Sequence, residues 1–193
     1  MGLVSLILTS LMAVASTSST DTTTDREERP EARGSSSGLS YGHTAHRLYR
    51  VRFSGGQPTI QDVGPFNAQI TDIARLGDGR LFGVSFTALY HINEQNGAAM
   101  LIGHLGANNV NGLAAIGNQL YASSTDGIFY RVDHSTGQAT VVGRFGTGIR
   151  SSGDLCSTPS GELYLTSPIG RAQTAIDQLV RVDPATGVGT PIG

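Results

Sequence analysis

The sequence has no lysine and no tryptophan, and only one cysteine among its 193 residues. A single cysteine excludes an intrachain disulfide framework and any zinc site built from several cysteines. Charged residues make up only 15 %, and the formal net charge of −2 argues against a surface that captures nucleic acid or anionic lipid by charge. Glycine, by contrast, is abundant at 26 residues, which favours many tight turns over long helices.

An apolar stretch near the start of the sequence runs from Leu3 to Ala15. It is too short to span a bilayer as a helix, which takes about 20 residues. Its length and the small residues of Ala13-Val14-Ala15 match a secretory signal peptide, although no Lys or Arg precedes them. We expect residues 1–15 to be a signal peptide, and the protein to be secreted or periplasmic with no membrane span after leader removal. A misassigned start or a short anchor is the alternative.

Residues 16–38 have the composition of a disordered linker. A Ser/Thr run is followed by mixed charges and then by Gly and Ser, with almost no side chain suited to burial. Such a segment cannot bury enough apolar surface to offset the entropy cost of ordering it. We therefore expect the folded part of the chain to begin at residue 39.

The rest of the sequence is a repeat of about 40 residues. Each unit has a strand-like segment, a turn ending in Gly, and a short apolar run closed by a second Gly. The strand-like segments are Leu48-Tyr49-Arg50-Val51, Leu89-Tyr90-His91-Ile92, Phe129-Tyr130-Arg131-Val132 and Leu179-Val180-Arg181-Val182. The turns suit this pattern, because Asp or Asn closes a turn on its own backbone and Gly takes the left-handed position. We predict four short strands in each complete unit.

Four strands in a unit of this length are typical of a β-propeller blade. The chain resembles secreted bacterial-type β-propeller repeat proteins with blades of the LYRVDPATG…IG type, and it lacks the sequence marks of WD and kelch blades. We predict an all-β fold, a β-propeller of about four blades of four antiparallel strands. The predicted blades are residues 39–64, 70–103, 110–143 and 152–193. The resemblance implies a fold and no particular activity.

The number of predicted strands leaves the closure of the propeller open. The first unit has no evident innermost strand, so the sequence predicts fifteen strands, one short of four complete blades. Three interpretations follow: a closed four-bladed ring, a fragment of a larger propeller, and a ring completed by a second copy of the chain. A partial propeller or a homo-oligomer is favoured over a closed monomer.

The loops after the second and fourth strands of each blade vary in length and should share one face, which is where repeat proteins usually bind ligands. The polar residues of these loops include His43, His46, Asn67, Asn108 and the candidate ligand-binding residues His104, Asn109, Arg144, Arg150 and Arg171. Three arginines together suit an anionic ligand such as a carboxylate or a sulfated sugar. A merely solvated face is the competing interpretation, and for His43 and His46 a solvated turn is favoured over a metal site.

The predicted innermost strands carry the candidate metal ligands Asp72, Asn111 and Asp154. Asp72 and Asp154 fall at equivalent repeat positions, with Gly112 between them. Carboxylate and amide oxygens suit Ca²⁺, but Ca²⁺ needs six to eight oxygens, and a hydrogen-bonding role is the alternative. Cys156 is interpreted as a small buried residue.

No motif of a known catalytic class occurs in the sequence, so no catalytic residue is assigned. We expect a non-enzymatic module that binds a protein, glycan or cell-wall ligand through the variable loops, without a cofactor. The alternatives are a calcium-dependent hydrolase or lyase with its carboxylates in the central channel, and a truncated fragment of a larger propeller.

Overall fold

The computed structural model describes residues 39–54, 57–169 and 176–193. These residues form fifteen β-strands and no helix. No described helix is therefore long and apolar enough to cross a membrane. The predicted signal peptide, the predicted linker and Arg171 lie outside the described residues.

The strands form four antiparallel sheets that follow one another along the chain. The first sheet contains β1 (Ser40–Thr44), β2 (Arg47–Ser54) and β3 (Gln57–Pro65). The second contains β4 (Asp72–Arg75), β5 (Leu81–Val84), β6 (Ala88–Ile92) and β7 (Ala99–His104). The third contains β8 (Val110–Ile116), β9 (Gln119–Ser124), β10 (Ile128–Val132) and β11 (Ala139–Arg144). The fourth contains β12 (Leu155–Ser157), β13 (Leu163–Ile169), β14 (Ile176–Val182) and β15 (Gly189–Pro191).

This arrangement is a four-bladed β-propeller, which confirms the predicted fold class. Strand β8 contacts both β4 and β12, so the first strands of the second, third and fourth sheets lie innermost. The first sheet has three described strands and begins at the position of a second strand, as its sequence predicts.

Apolar side chains from both faces of the sheets hold neighbouring blades together. The cluster between the first and second sheets contains Leu48 and Ile92, and the cluster between the second and third contains Phe82 and Leu120. A third cluster, around Phe129, joins the third and fourth sheets. Burying one such side chain is worth roughly 1.5–3 kcal/mol. Among the described residues, no comparable cluster joins the fourth sheet to the first.

Two glycines of each repeat meet across the blade interfaces, which explains why both recur in the sequence. Gly103 closes the second blade, and a Cβ there would overlap the carbonyl oxygen of Thr136 in the turn of the third blade. Gly137 ends that turn with a φ of 82°, and a Cβ on it would collide with the backbone of Gly103. Any side chain at Gly103 would therefore force adjoining blades apart.

The turn between the third and fourth strands of a blade is closed by an Asp or Asn side chain. Asn93 Oδ1 accepts hydrogen bonds from the backbone N–H of Gln95 at 2.8 Å and of Asn96 at 3.2 Å. Asp133 Oδ1 accepts the equivalent bond from the backbone N–H of Ser135 at 2.8 Å and a further bond from the Ser135 hydroxyl at 2.6 Å. These Asx turns fix the strand register that the repeat predicts.

Candidate functional site

Two of the predicted ligand-binding residues, Arg144 and Arg150, line one cleft of about 470 Å³ on the loop face. Arg144 ends β11, and Arg150 belongs to the long loop that follows it. That loop is anchored by Phe145, which is fully buried between the third and fourth sheets. The repeat therefore places the two guanidinium groups at the rim of one interface between blades.

Asp126, in the short turn between β9 and β10, also lines this cleft. Asn109 Nδ2 donates to its Oδ2 at 3.0 Å, and Arg144 Nη1 donates to its backbone carbonyl at 3.3 Å. Asn109 adopts a φ of 56°, a left-handed conformation that Asn tolerates better than most side chains. Two predicted residues, Asn109 and Arg144, thus contact the Asp126 turn. Arg144 and Arg150 outnumber the single carboxylate that lines the cleft.

The other predicted loop residues are not brought into this cleft. His104 ends β7 and pairs with Ala88 in the second sheet, so it lies one blade away. Asn67 accepts a hydrogen bond from the backbone N–H of Ala99 at 2.7 Å, which is a structural contact between blades. Arg171 lies outside the described residues.

Asp72, a predicted metal ligand, is completely buried between the first three sheets. Its Oδ1 accepts the backbone N–H of Ile73 at 2.8 Å, and its Oδ2 accepts that of Leu113 on β8 at 2.7 Å. The second bond joins the innermost strands of two blades. Burial raises the pKa of Asp72 to about 6, against the opposing effects of His43 and of these two N–H groups. The hydrogen-bonding role considered from the sequence accounts for both carboxylate oxygens.

His43 is buried, so the prediction that it lies in a solvated turn is wrong, whereas its neighbour His46 is exposed. Nδ1 of His43 lies 3.2 Å from the carbonyl oxygen of Thr44, which accepts only, so Nδ1 carries a proton. Nε2 lies 3.8 Å from Asp72 Oδ1 and has no hydrogen-bond partner among the described residues. The turn prediction failed because the pairing of β1 with β2 points His43 into the interface with the second blade.

The other two predicted metal ligands lie on or directly before the innermost strands of the third and fourth blades. Asn111 is buried on β8; its Nδ2 donates to Ser151 O at 3.4 Å, and its Oδ1 has no partner among the described residues. Asp154 directly precedes β12. Gly112 takes the position of Asp72 in the third blade, where a Cβ would overlap Ser123 Oγ. Within the described ranges there is no group of three or more His, Cys, Asp or Glu side chains suited to a metal, and the calcium site stays a prediction.

Cys156 is exposed, so the interpretation of it as a small buried residue is wrong. It lies in the centre of β12, on the side of the fourth sheet that faces away from the third. Partial burial, together with the carboxylates of Asp72 and Asp154, raises the pKa of the Cys156 thiol. A raised pKa leaves little of the reactive thiolate at neutral pH.

Sequence reasoning missed Asp126 as part of the cleft. In the sequence, Thr125-Asp126-Gly127 has only the composition of a tight turn. The contact with Asn109, seventeen residues away, arises because the two residues lie on successive loops of the same face. The unusual length of the loop after β11 was the one signal that pointed to this region.

No protein-family model matches the chain, and no curated protein matches it either. Solved structures do match. A gluconolactonase from Xanthomonas campestris is 17 % identical, with a TM-score of 0.46 over 75 % of this chain and 51 % of its own. A puromycin hydrolase is 15 % identical, with a TM-score of 0.45 over 80 % of this chain and 26 % of its own. The WD40 repeats of RRP9 are 12 % identical, with a TM-score of 0.49 over 80 % of this chain and 47 % of their own.

The chain therefore spans about half or less of the length of these three structures. At such identities the likeness concerns the fold alone. A β-propeller fold by itself assigns no activity.

Proposed function

We propose that this chain is a secreted, non-enzymatic binding module that holds an anionic glycan or protein ligand on its loop face. The cleft between Arg144 and Arg150 carries the proposal. Both guanidinium groups line it, and its walls are loops held in place by the buried Phe145 and by the contact of Asn109 with Asp126. Guanidinium groups suit the planar oxygens of a carboxylate or a sulfate ester.

The cleft is shallow and faces solvent, and Gly146 and Gly148 contribute no side chains to its lining. An open groove whose described lining residues include no nucleophile–base pair suits binding better than catalysis. Charge attraction across such an exposed site is screened by salt, so affinity should fall as ionic strength rises.

An array of immobilised glycans tests the proposal. We expect the protein to be retained on sulfated or carboxylated glycans and not on their neutral counterparts. Arg144→Ala and Arg150→Ala should each weaken retention roughly 10- to 100-fold, because each removes a charge-assisted hydrogen bond. Arg52→Ala is the matched control, since Arg52 is exposed on β2 away from the loop face.

Two results would contradict the proposal. One is equal retention on neutral and anionic glycans, and the other is an equal loss for all three arginine variants. Failure to bind any anionic glycan or polyanionic protein would also remove its support.

The predicted signal peptide supports the secreted location. We expect expression in a bacterial host to export the chain and remove residues 1–15. N-terminal sequencing of the exported protein should then begin at Ser16. Retention of the uncleaved chain inside the cell would contradict this part of the proposal.

A calcium-dependent enzyme is the second candidate, favoured by the buried Asn111 Oδ1 that has no hydrogen-bond partner among the described residues. Elemental analysis and a thermal shift with Ca²⁺ test it, because a ligand that binds the native state raises its stability. The stabilisation should disappear in Asn111→Ala. Absence of bound metal and of any shift would exclude this candidate.

A further inference from the structure

The outer face of the fourth sheet repeats the positions through which each earlier blade packs against the next. On the third strand of the blade these positions are Leu48, Leu89 and Phe129, all 0 % exposed in the three clusters between blades. Leu179 takes the same position in the fourth blade and is 41 % exposed. A large apolar side chain is kept at this position, but no neighbouring blade among the described residues covers Leu179.

The other three strands of the fourth sheet show the same pattern. On the innermost strands, Ala74 and Ala114 are buried against the next blade, whereas Cys156 at their position is exposed. On the second strands, Phe82 is buried in a cluster, whereas Tyr164 at its position is half-buried and belongs to none.

The fourth strands complete the comparison. Val63 and Ile102 pack against clusters between blades, whereas Ile192 at their position is 53 % exposed. The closing Gly103 touches the turn of the following blade, whereas Gly193 has no atom of another residue near its Cβ position. We define the docking face as Cys156, Tyr164, Leu179 and Ile192.

The first sheet carries the complementary positions. In each later blade, the face that packs against the preceding blade has an apolar residue at the end of the third strand. In the second blade this residue is Ile92, and the small residue Ala99 lies opposite it on the fourth strand. The first sheet has Val51 and Ile60 at these positions, so a large residue stands where the later blades have a small one. Val51 is only 4 % exposed, whereas Ile60 is 62 % exposed. We define the receiving face as Tyr49 and Ile60, which flank the buried Val51.

We propose that the docking face of this chain binds the receiving face of a second copy. The contact would continue the interface that already occurs three times within the chain, using the same positions on both sides. It is a head-to-tail contact, and two copies related by a two-fold axis would bury both faces of each. Exposed apolar sheet faces are otherwise prone to aggregate, so coverage by a second copy also explains how they persist.

The mass of the full chain in solution tests this proposal, by light scattering over a range of concentrations. We expect twice the 20.1 kDa of one chain. Leu179→Arg on the docking face and Ile60→Arg on the receiving face should each shift the protein to the mass of one chain. Met100→Arg is the control, because Met100 is exposed on β7 and lies on neither face.

A mixing experiment makes the head-to-tail geometry testable. Leu179→Arg keeps an intact receiving face and Ile60→Arg keeps an intact docking face, so an equimolar mixture should recover a two-copy species that neither variant forms alone. The Cys156 thiol should react with an alkylating reagent more slowly in the wild-type protein than in Leu179→Arg.

Three outcomes would overturn the proposal. A single-chain mass at all concentrations means that another segment or partner covers the face, or that nothing does. A two-copy mass that survives both arginine variants places the contact elsewhere. Recovery of pairs by each variant alone contradicts the head-to-tail arrangement. Circular dichroism of both variants, whose changed side chains are exposed, checks that they remain folded.

Discussion

At the scale of single residues, Asp72 shows how a side chain suited to catalysis or metal binding can instead hold a fold together. Both of its oxygens accept backbone N–H groups, and one of these bonds joins two blades. Its carboxyl group is completely buried beside His43, so the charged form is costly there. The cost should be visible in the pH dependence of stability.

Asp72→Asn should change that pH dependence. Because burial raises the folded-state pKa of Asp72 from 3.8 to about 6, the folded protein binds this proton more tightly than the unfolded chain. Its stabilising contribution is therefore complete below pH 4 and falls as pH rises through 6, by at most about 3 kcal/mol. Asn keeps an oxygen for the Leu113 N–H and does not titrate.

Urea unfolding of both proteins between pH 4 and pH 7 measures this effect. We expect the free energy of unfolding of the wild-type protein to fall relative to that of Asp72→Asn as pH rises over this range. Parallel curves for the two proteins would show that the carboxyl group has no raised pKa in the folded state.

At the scale of elements, the turns and glycines of the repeat determine how each blade is built. Asp133 and Asn93 close the same turn in successive blades, and the side-chain Oδ1 of each accepts a hydrogen bond from the backbone N–H two residues further on. The Gly at the end of that turn meets the closing Gly of the preceding blade. Local turn chemistry and packing between blades therefore depend on the same few residues.

Asp133 is expected to stabilise its turn chiefly as a hydrogen-bond acceptor. Hydrogen bonds from the Ser135 hydroxyl and backbone lower the pKa of Asp133 to about 2, so the stability it provides is present above pH 4 and is lost as pH falls towards 2. Asp133→Ala should lower the urea midpoint at pH 7. Asp133→Asn should keep most of the wild-type urea midpoint at pH 7, because Asn93 closes the equivalent turn in the second blade. It should not show the loss of stability in acid that Asp133 causes, because Asn does not titrate. Equal midpoints for Ala and Asn at pH 7 would argue against this role.

Gly103→Ala should be far more damaging than the same change at the equivalent Gly193. An Ala methyl at Gly103 would overlap Thr136 O, whereas at Gly193 nothing lies within 4 Å. We expect a loss of roughly 1–3 kcal/mol for Gly103→Ala and almost none for Gly193→Ala. Urea unfolding measures both losses of stability, with each Gly→Ala change made in a Leu179→Arg background that keeps the protein monomeric. Similar losses at the two positions would mean that the close approach between blades is not what requires Gly103.

The strands and turns were predictable because the same sequence pattern for each of them recurs in every repeat unit. Strand segments such as Leu89 to Ile92 recur with the same turn and the same Gly after them, so local pattern and fold agree. The candidate site was predictable only in part. Arg144 and Arg150 were found through the length of their loop, but Asp126 lies in an ordinary turn and reaches Asn109 only through the packing of blades.

His43 and Cys156 show why burial was harder to predict than strand position. His43 stands where the later blades have Val84 and Ser123, and the residue type alone suggested solvent. Cys156 stands where two buried Ala residues occur, and it is exposed because its sheet has no following blade among the described residues. Exposure depends on which neighbour covers a face, and that is a property of the whole molecule.

At the scale of the whole molecule, stability rests on interfaces between blades more than on any single sheet. Three clusters join four successive sheets, and each uses the same repeat positions. The contribution of such a residue to the free energy of unfolding should therefore depend on whether a further blade covers it, and not on the type of residue. Leu48, Leu89 and Leu179 are one residue type at one repeat position, and only the first two lie within clusters between blades.

The free energies of unfolding of Leu48→Ala, Leu89→Ala and Leu179→Ala test this dependence on stacking most directly. They should be measured by urea unfolding at a concentration where the chain is single. We expect losses of about 2–5 kcal/mol at Leu48 and Leu89, where truncation leaves a buried cavity, and less than about 1 kcal/mol at the exposed Leu179. Equal losses at all three positions would contradict the arrangement of blades described for this chain.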